Sequence, residues 1–231
     1  MEIPVADGTI RGYLATPQEE VSGQPPWPGV VIVHDAVGLS DDAKNITDRF
    51  ATAGYLALSP DLYSRGGLVR CVKSVFSELA AGKGRAFDDL DAARSLLASR
   101  SDCTGRIGVV GFCMGGGFAL VGASRGFDAS APYYGPIPTD LSILDGACPI
   151  VASYGKKDFT LRGAAAKLEA ELTERGIPHD VKEYPSAGHS FANQFHGPIN
   201  VLMRIAGMGY DRESSEDAWR RVLAFFAEHL R

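Results

Sequence analysis

Residues 111–116 read Gly-Phe-Cys-Met-Gly-Gly and directly follow the apolar run Ile-Gly-Val-Val at 107–110. The apolar run is typical of a buried strand, and the glycines allow an abrupt turn from that strand into a helix. Cys113 then stands at the apex, where neighbouring side chains would collide with strand or helix. The same geometry, usually written G-x-S-x-G, presents a nucleophile on a strained turn. We therefore interpret the stretch as a nucleophile elbow with a thiol in place of a hydroxyl.

The composition of the chain is that of an ordinary globular protein. Its 231 residues are 45% hydrophobic and 22% charged, which is enough to bury a core as one α/β domain spanning 1–231. A net charge of −5 without a Lys/Arg block argues against a nucleic-acid partner. No apolar run approaches the roughly 18 residues of a membrane span, and the N-terminus does not resemble a signal peptide. We expect a cytoplasmic protein without a membrane partner, and leave its oligomeric state open.

The four cysteines are scattered along the sequence, at positions 71, 103, 113 and 148. They form no C-x-x-C pair and no Cys/His spacing suited to zinc. This pattern predicts reduced thiols and no metal site. We expect the three cysteines other than Cys113 to be packing residues, because a free cysteine behaves as a small hydrophobe.

Strands alternate with helices along the chain. A hairpin around Asp7-Gly8 is expected over 3–14; further strands are predicted at 30–33, 55–59, 107–110, 129–134, 149–154 and 179–184, and helices at 41–53, 68–81, 85–99, 161–175 and 216–230. This order predicts a doubly wound, mostly parallel twisted sheet with helices on both faces. The irregular stretch 193–215 is either a lid over a pocket or a plain connection.

Three polar side chains follow strands of the predicted sheet. Cys113 follows the strand at 107–110, Asp158 the strand at 149–154, and His189 the strand at 179–184. All three are therefore expected at the carboxyl edge of the sheet, where ligands of such sheets bind. Singly, each has a structural alternative: a packed thiol, a helix cap, a structural imidazole. Together, in the order nucleophile, acid, histidine, they favour a catalytic triad.

The motifs as a set resemble the dienelactone hydrolase family of α/β-hydrolases. They are the elbow, the turn at Asp158, Ala187-Gly188-His189-Ser190-Phe191, Asp61-Leu62-Tyr63 and Tyr133-Tyr134-Gly135, and the similarity runs from about Ile10 to Leu230. The resemblance implies an α/β-hydrolase fold with an eight-stranded sheet and no cofactor. It also implies a Cys-His-Asp triad that opens unsaturated lactones or cleaves small esters. By position, Cys113 becomes the nucleophile, His189 the base and Asp158 the group that orients it.

An oxyanion hole is expected beside the nucleophile. Its first donor is the backbone N–H of Met114, at the start of the helix after Cys113. The second comes from the loop at 34–38, after the strand at 30–33. We assign it to Ala36, with the neighbouring positions on either side as alternatives.

Two positions depart from the family pattern. A glutamate that pairs with the resting thiol in the family is replaced by Asp35, which we expect either to do the same or to accept N–H bonds within its loop. An arginine that binds the substrate carboxylate in the family is replaced by Asn193, which supplies no charge. The carboxylated dienelactone is therefore in doubt as a substrate.

The basic cluster of Arg65, Arg70 and Lys73 is interpreted as a solvated face. The alternative is that one of its cations binds a substrate carboxylate in place of the missing arginine. Tyr134 either lines the acyl pocket or belongs to the core.

The sequence thus predicts a cysteine hydrolase whose partner is a small ester or lactone and whose intermediate is a thioester. Class I glutamine amidotransferases also carry a cysteine on an elbow, but an acid stands two residues after their histidine, where this chain has Phe191. A thiol-based sensor or a ligand-binding relic without ester turnover is the remaining alternative. An intact triad argues against the relic.

Overall fold

The computed structural model describes residues 1–195 and 208–231. Within these ranges strands and helices alternate as the sequence pattern predicts. The strands are β1 (Glu2–Val5), β2 (Gly8–Ala15), β3 (Trp27–Val33), β4 (Leu56–Pro60), β5 (Cys103–Phe112), β6 (Ala129–Tyr133), β7 (Ile150–Gly155) and β8 (His179–Tyr184). The helices are α1 (Glu19–Ser22), α2 (Asp41–Thr52), α3 (Gly67–Ala81), α4 (Arg85–Ala98), α5 (Met114–Gly122), α6 (Ala164–Glu174) and α7 (Arg212–His229), with a 3-10 turn at Leu141–Leu144.

The described strands form one sheet in the order β1-β2-β4-β3-β5-β6-β7-β8. The strands β1 and β2 form the expected antiparallel hairpin, and β2 pairs antiparallel with β4. All later pairs are parallel. A mostly parallel sheet with an antiparallel edge is the α/β-hydrolase fold that the sequence predicts. The carboxyl ends of β3 and of β5 to β8 consequently lie side by side along one edge.

Alternate side chains of the central strands enter two separate cores. Val31 and Val33 face a layer built by α3, α4 and α5, whereas Val30 and Ile32 face α2 and α7. All four are fully buried, because a strand covered on both faces can be apolar throughout. The sheet edge that carries the loops is thereby held between two packed layers.

Two helix boundaries differ by more than one residue from the sequence prediction. The helix α6 begins at Ala164 rather than near 161, because 158–163 form a turn that ends in Gly163 at φ 74°. The helix α7 begins four residues earlier than predicted, since the Asp211 side chain accepts the Ser214 N–H and caps it there. The short α1 and the 3-10 turn have no clear signal in the sequence.

Of the stretch 193–215, predicted as a lid or a connection, residues 196–207 lie outside the described residues. Over the described ranges, no helix is long and apolar enough to cross a membrane.

Candidate active site

The turn from β5 into α5 places Cys113 at a sharp corner. Cys113 has φ 55°, a left-handed conformation that few non-glycine residues adopt. A Cβ at Gly111 would overlap the carbonyl oxygen of Gly115, and a Cβ at Gly115 would overlap the carbonyl oxygen of Val33. The glycines of the elbow are therefore required by the close approach of three backbone segments.

The side chains of Cys113, His189 and Asp158 form a hydrogen-bonded row. His189 Nε2 lies 3.0 Å from Cys113 Sγ, and His189 Nδ1 lies 2.5 Å from Asp158 Oδ2. The Asp158 side chain is 1% exposed and that of His189 is 13% exposed. Because an ionised carboxylate only accepts hydrogen bonds, Nδ1 carries the proton and Nε2 is left to accept one from the thiol.

The charges in this row support one another. Burial raises the pKa of Asp158, but hydrogen bonds from His189 and Thr160 outweigh it, and the pKa falls below its ordinary value. Thr160 donates both its N–H and its hydroxyl to Asp158 Oδ1, at 2.9 and 2.6 Å. Burial lowers the pKa of His189, but the hydrogen bonds and charges of Asp158 and Cys113 outweigh it and raise the pKa above its ordinary value, which favours transfer of the thiol proton to the ring. A basic imidazole beside a thiol is the arrangement that proton transfer from sulfur needs.

Backbone strain is concentrated at the same edge of the sheet. Among the described non-glycine residues, three have positive φ: Cys113, Tyr134 at 37° and Ser190 at 61°. They follow β5, β6 and His189 respectively. Strained backbone persists only where the surroundings hold it, and it clusters at functional sites.

The loop after β3 is held from two sides. His34 Nε2 accepts the Leu62 N–H at 3.1 Å, so Nδ1 carries the proton and donates to the Asp35 carbonyl at 2.7 Å. Burial lowers the pKa of His34 and keeps the ring neutral. The Tyr63 hydroxyl donates to the Ala36 carbonyl at 3.2 Å. Sequence reasoning placed His34 at a strand end and matched Tyr63 to a family motif, without assigning these bonds.

The N–H groups assigned to the oxyanion hole are both unengaged. Neither Ala36 nor Met114 donates its N–H to another described residue. Since a trans peptide directs N–H and C=O to opposite sides, the bond from His34 to the Asp35 carbonyl also orients the Ala36 N–H. Met114 is the first residue of α5, where helix N–H groups have no internal partner. Both donors are available to a ligand.

Asp35 lies in the same loop and is 6% exposed. Its Oδ1 accepts the Val37 N–H at 2.8 Å. Burial raises the pKa of Asp35 to about 6, and the nearby charge of Asp42 adds to the effect. The sulfur of Cys113 pairs with His189 in this structure, so the partnership of Asp35 with the thiol stays a prediction.

The structure brings Tyr134 and Asn193 together, and the Tyr134 ring centroid lies 5.3 Å from that of His189. The Tyr134 hydroxyl donates to Asn193 Oδ1 at 2.6 Å, and Asn193 Nδ2 donates to Asp42 Oδ2 at 2.7 Å. Both residues are buried, at 0% and 3% exposure, and their contact with a substrate stays a prediction. Asp42 has no local signal in the sequence beyond its place in the first turn of a helix.

The three residues of the basic cluster differ in exposure and in hydrogen bonding. Arg70 and Lys73 are exposed as expected. Arg65 is half-buried and bonds both oxygens of Asp89, at 2.6 and 2.9 Å, and also Asp7 at 2.7 Å. The interpretation of Arg65 as part of a solvated face is therefore wrong, because its guanidinium neutralises a buried carboxylate.

The part of the chain that is described offers no evident metal site. No group of three or more His, Cys, Asp or Glu side chains there is arranged to hold a metal ion. The chemistry this edge of the sheet offers is that of a thiol, an imidazole, a carboxylate and two backbone donors.

Comparisons with known proteins identify the family of this chain. The dienelactone hydrolase family model matches residues 10–230. A candidate carboxymethylenebutenolidase of Methylorubrum extorquens is 28% identical over 99% of this chain and 80% of its own length. Protein usf of Aquifex pyrophilus is 29% identical over 96% of this chain and 94% of its own.

Solved structures give the same result. The crystal structure of a candidate dienelactone hydrolase from Klebsiella pneumoniae has a TM-score of 0.80 and 26% identity, covering 99% of this chain and 97% of that one. The family model spans most of the sequence, and the solved structure shares the fold over almost the whole of this chain. The chain belongs to the dienelactone hydrolase family and is a hydrolase.

Proposed function

We propose that this protein hydrolyses small carboxylic esters or enol lactones through a thioester formed on Cys113. One observation carries the proposal: the unbroken row from Asp158 through His189 to Cys113, at 2.5 and 3.0 Å. A nucleophile, a base and a group that orients the base, each within hydrogen-bond reach, are what covalent catalysis requires. The family membership supports the reaction class.

In the first half-reaction, the substrate carbonyl binds with its oxygen toward the N–H groups of Ala36 and Met114. His189 Nε2 takes the proton of the Cys113 thiol, and the sulfur attacks the carbonyl carbon. The carbonyl π electrons move to oxygen, where the two N–H groups stabilise the charge; losing one such donor typically costs about 100- to 1,000-fold in rate. The intermediate then expels the alcohol or enol oxygen, which takes the proton from His189.

In the second half-reaction, His189 removes a proton from water, and the hydroxide attacks the thioester carbonyl. The new tetrahedral intermediate expels the Cys113 thiolate, which recovers its proton from the imidazolium. A carboxylic acid is released. Asp158 stays ionised throughout and stabilises the charged imidazole.

The thiol influences which substrates react. A thiolate leaves a tetrahedral intermediate easily, so a substrate with a poor leaving group returns to starting material instead of acylating the enzyme. Activated esters and enol lactones are therefore expected to be good substrates, and amides poor ones.

We also propose that Asp35 restrains the resting thiol. Its Oδ1 is bonded to Val37, which leaves Oδ2 for a proton on sulfur when His189 is turned away. Because the restraint is lost, the rate of Cys113 alkylation by iodoacetamide is expected to rise in Asp35→Ala. If both the alkylation rate and the ester turnover are unchanged, Asp35 does not have this role.

The test of the proposed function is intact-protein mass spectrometry after brief mixing with a short activated ester. We expect the wild type to gain the mass of one acyl group, at Cys113, and to lose it as the product acid accumulates. Cys113→Ala should form no adduct, and His189→Ala should neither form it at the wild-type rate nor turn over. Turnover by Cys113→Ala at the wild-type rate would refute the proposal, as would a wild type that forms no adduct and no product.

A further inference from the structure

A set of three hydrogen bonds, two of them buried and one partly buried, ties α2 to the loop that carries His189. Asp42 Oδ2 accepts from Asn193 Nδ2 at 2.7 Å, and Asp42 Oδ1 accepts from the Gln194 N–H at 3.0 Å. The Tyr134 hydroxyl completes the set by donating to Asn193 Oδ1 at 2.6 Å. We call these residues, Asp42, Tyr134, Asn193 and Gln194, the Asp42 clamp. It joins three parts of the fold that are far apart in the sequence.

The carboxylate of Asp42 is in an unusual position for a helix residue. Asp42 is 8% exposed, and it forms no salt bridge with a cation among the described residues. Burying a carboxylate without a cation is unfavourable unless hydrogen bonds replace the lost water. An acidic residue that only complements a helix N-terminus would stay in solvent, as the neighbouring Asp41 does with an 88% exposed side chain. The hydrogen bonds from Asn193 and Gln194 therefore account for the burial of Asp42.

Those partners belong to the turn that positions His189. Ser190, the next residue, has φ 61°, a conformation that needs support from its surroundings. The turn closes through the Asn193 N–H, which donates to the Ser190 carbonyl at 3.0 Å. Asn193 is thus held at its backbone by the turn and at its side chain by Asp42 and Tyr134. A displacement of Asn193 would therefore move the turn at Ser190, and with it the neighbouring His189.

We propose that Asp42 is a positioning residue that, through Asn193 and Gln194, keeps His189 Nε2 at hydrogen-bond distance from the Cys113 sulfur. The inference rests on the proposed function, in which His189 takes the thiol proton. It assigns Asn193 an internal structural partner where sequence position suggested a contact with substrate. Because α2 follows the loop of Ala36, the same carboxylate also links the oxyanion loop to the histidine loop.

The first test compares two substitutions of Asp42. Asp42→Ala leaves the Asn193 amide and the Gln194 N–H without a partner, and we expect kcat to fall by about 100-fold with KM little changed, the effect of a displacement of about 1 Å at the reacting atoms. Asp42→Asn can keep three of the contacts: its oxygen accepts from Gln194, its NH₂ donates to a turned Asn193 amide, and that amide donates to the Tyr134 oxygen, whose own hydrogen loses its acceptor. Its loss of kcat should therefore be at least tenfold smaller than that of Asp42→Ala. Asp41→Ala, one residue away and exposed, is the matched control, and its kcat and KM should equal those of the wild type.

The second test exchanges the amide and the carboxylate. Asn193→Asp alone places two carboxylates against each other in a buried space, and should lose activity to a similar extent as Asp42→Ala. In the double variant Asp42→Asn with Asn193→Asp, the amide introduced at position 42 donates to the carboxylate introduced at position 193 and accepts from Gln194, while Tyr134 keeps its acceptor. We expect the double variant to recover at least tenfold in kcat over Asn193→Asp, the size of a restored hydrogen bond to a charged group. This comparison decides the question if Asp42→Ala does not fold.

A readout independent of ester turnover separates positioning from mere stability. The rate at which iodoacetamide alkylates Cys113 depends on the base beside the sulfur, and it needs no substrate. At a temperature where circular dichroism shows each variant folded, alkylation should slow in Asp42→Ala and Asn193→Asp and recover in the double variant. Wild-type alkylation and kcat in folded Asp42→Ala, or no recovery in the double variant, would overturn the proposal. If the wild type hydrolyses no ester while alkylation still follows this pattern, the proposed function fails and the positioning role stands.

Discussion

At the scale of single residues, the proton on His189 depends on one carboxylate. Asp158 Oδ2 accepts from Nδ1, which leaves Nε2 free to receive the thiol proton. In Asp158→Asn the amide NH₂ can face Nδ1, and the ring proton then moves to Nε2, where it opposes the S–H. We expect kcat to fall by about 10⁴-fold while the fold is retained, as when the tautomer of a triad histidine is wrong. Steady-state kinetics with an activated ester will measure it.

The control for that experiment is Thr160→Val. It removes the hydroxyl bond to Asp158 Oδ1 and keeps the backbone N–H bond, so its loss should be much smaller. Equal losses in the two variants would mean that the carboxylate acts through its local turn and not through the histidine.

Asp35 gives a pH dependence of stability with a definite sign. Burial raises its pKa from 3.8 to about 6 in the folded protein. Below pH 3.8 the carboxyl is protonated in both the folded and the unfolded state, so its burial costs no stability through ionisation. Between these values the unfolded chain ionises first, and above about 6 the folded state carries a buried charge that destabilises it by about 3 kcal/mol. Asp35→Asn should therefore be more stable than the wild type at neutral pH by up to that amount.

Urea unfolding across this pH range will measure the difference between the two proteins. It should grow as the pH rises from 4 toward about 7. The Asp41→Asn variant controls for removal of a surface charge. A difference that is independent of pH would show that the carboxyl of Asp35 does not titrate differently on folding.

At the scale of elements, the elbow depends on how closely α5 approaches β3. A methyl group at Gly115 would overlap the carbonyl oxygens of Val33 and His34, so Gly115→Ala should push the helix away from the strand. We expect esterase activity to fall by at least 100-fold, since the displacement moves Cys113 and the Met114 N–H together. Gly122→Ala is the matched control at the other end of α5.

At Gly122 the nearest side-chain atoms lie 3.7 Å from the added carbon. The methyl group fits there, and alanine favours a helix over glycine by roughly 0.5–1 kcal/mol. Activity should be retained and the free energy of unfolding should rise by about that amount. If both alanine variants behave alike, close approach is not the reason for the glycine at 115.

At the scale of the whole molecule, the sequence predicts what depends on local order. The strands and helices follow from apolar runs, and the three positions of the proposed triad follow from each standing just after a strand. The boundary of α6 was missed because Asp158 and Thr160 bond to each other in a turn before the helix. The Asp42–Asn193 bond could not be predicted, because its partners are 151 residues apart and meet only once the sheet places their loops together.

The pairing of Arg65 with Asp89 is a second contact of this long-range kind, and it bears on global stability. Arg65 follows β4 and bonds both oxygens of Asp89 on α4, whose side chain is 2% exposed. It also bonds Asp7 in the turn between β1 and β2. The hydrogen bonds to Asp89 raise the pKa of the Arg65 guanidinium. One cation therefore joins the edge hairpin to a helix of the core.

Arg65→Met should destabilise the protein by about 3–5 kcal/mol, because the Asp89 carboxylate remains buried without its partner. The double variant Arg65→Met with Asp89→Leu removes the uncompensated charge, and it should regain most of the loss, since apolar side chains of similar volume can replace a buried ion pair at little cost. Chemical denaturation of the wild type and the variants, including Asp89→Leu alone, completes the cycle. If the double variant is as unstable as Arg65→Met, the loss comes from packing around the arginine stem, and the buried charge is not its cause.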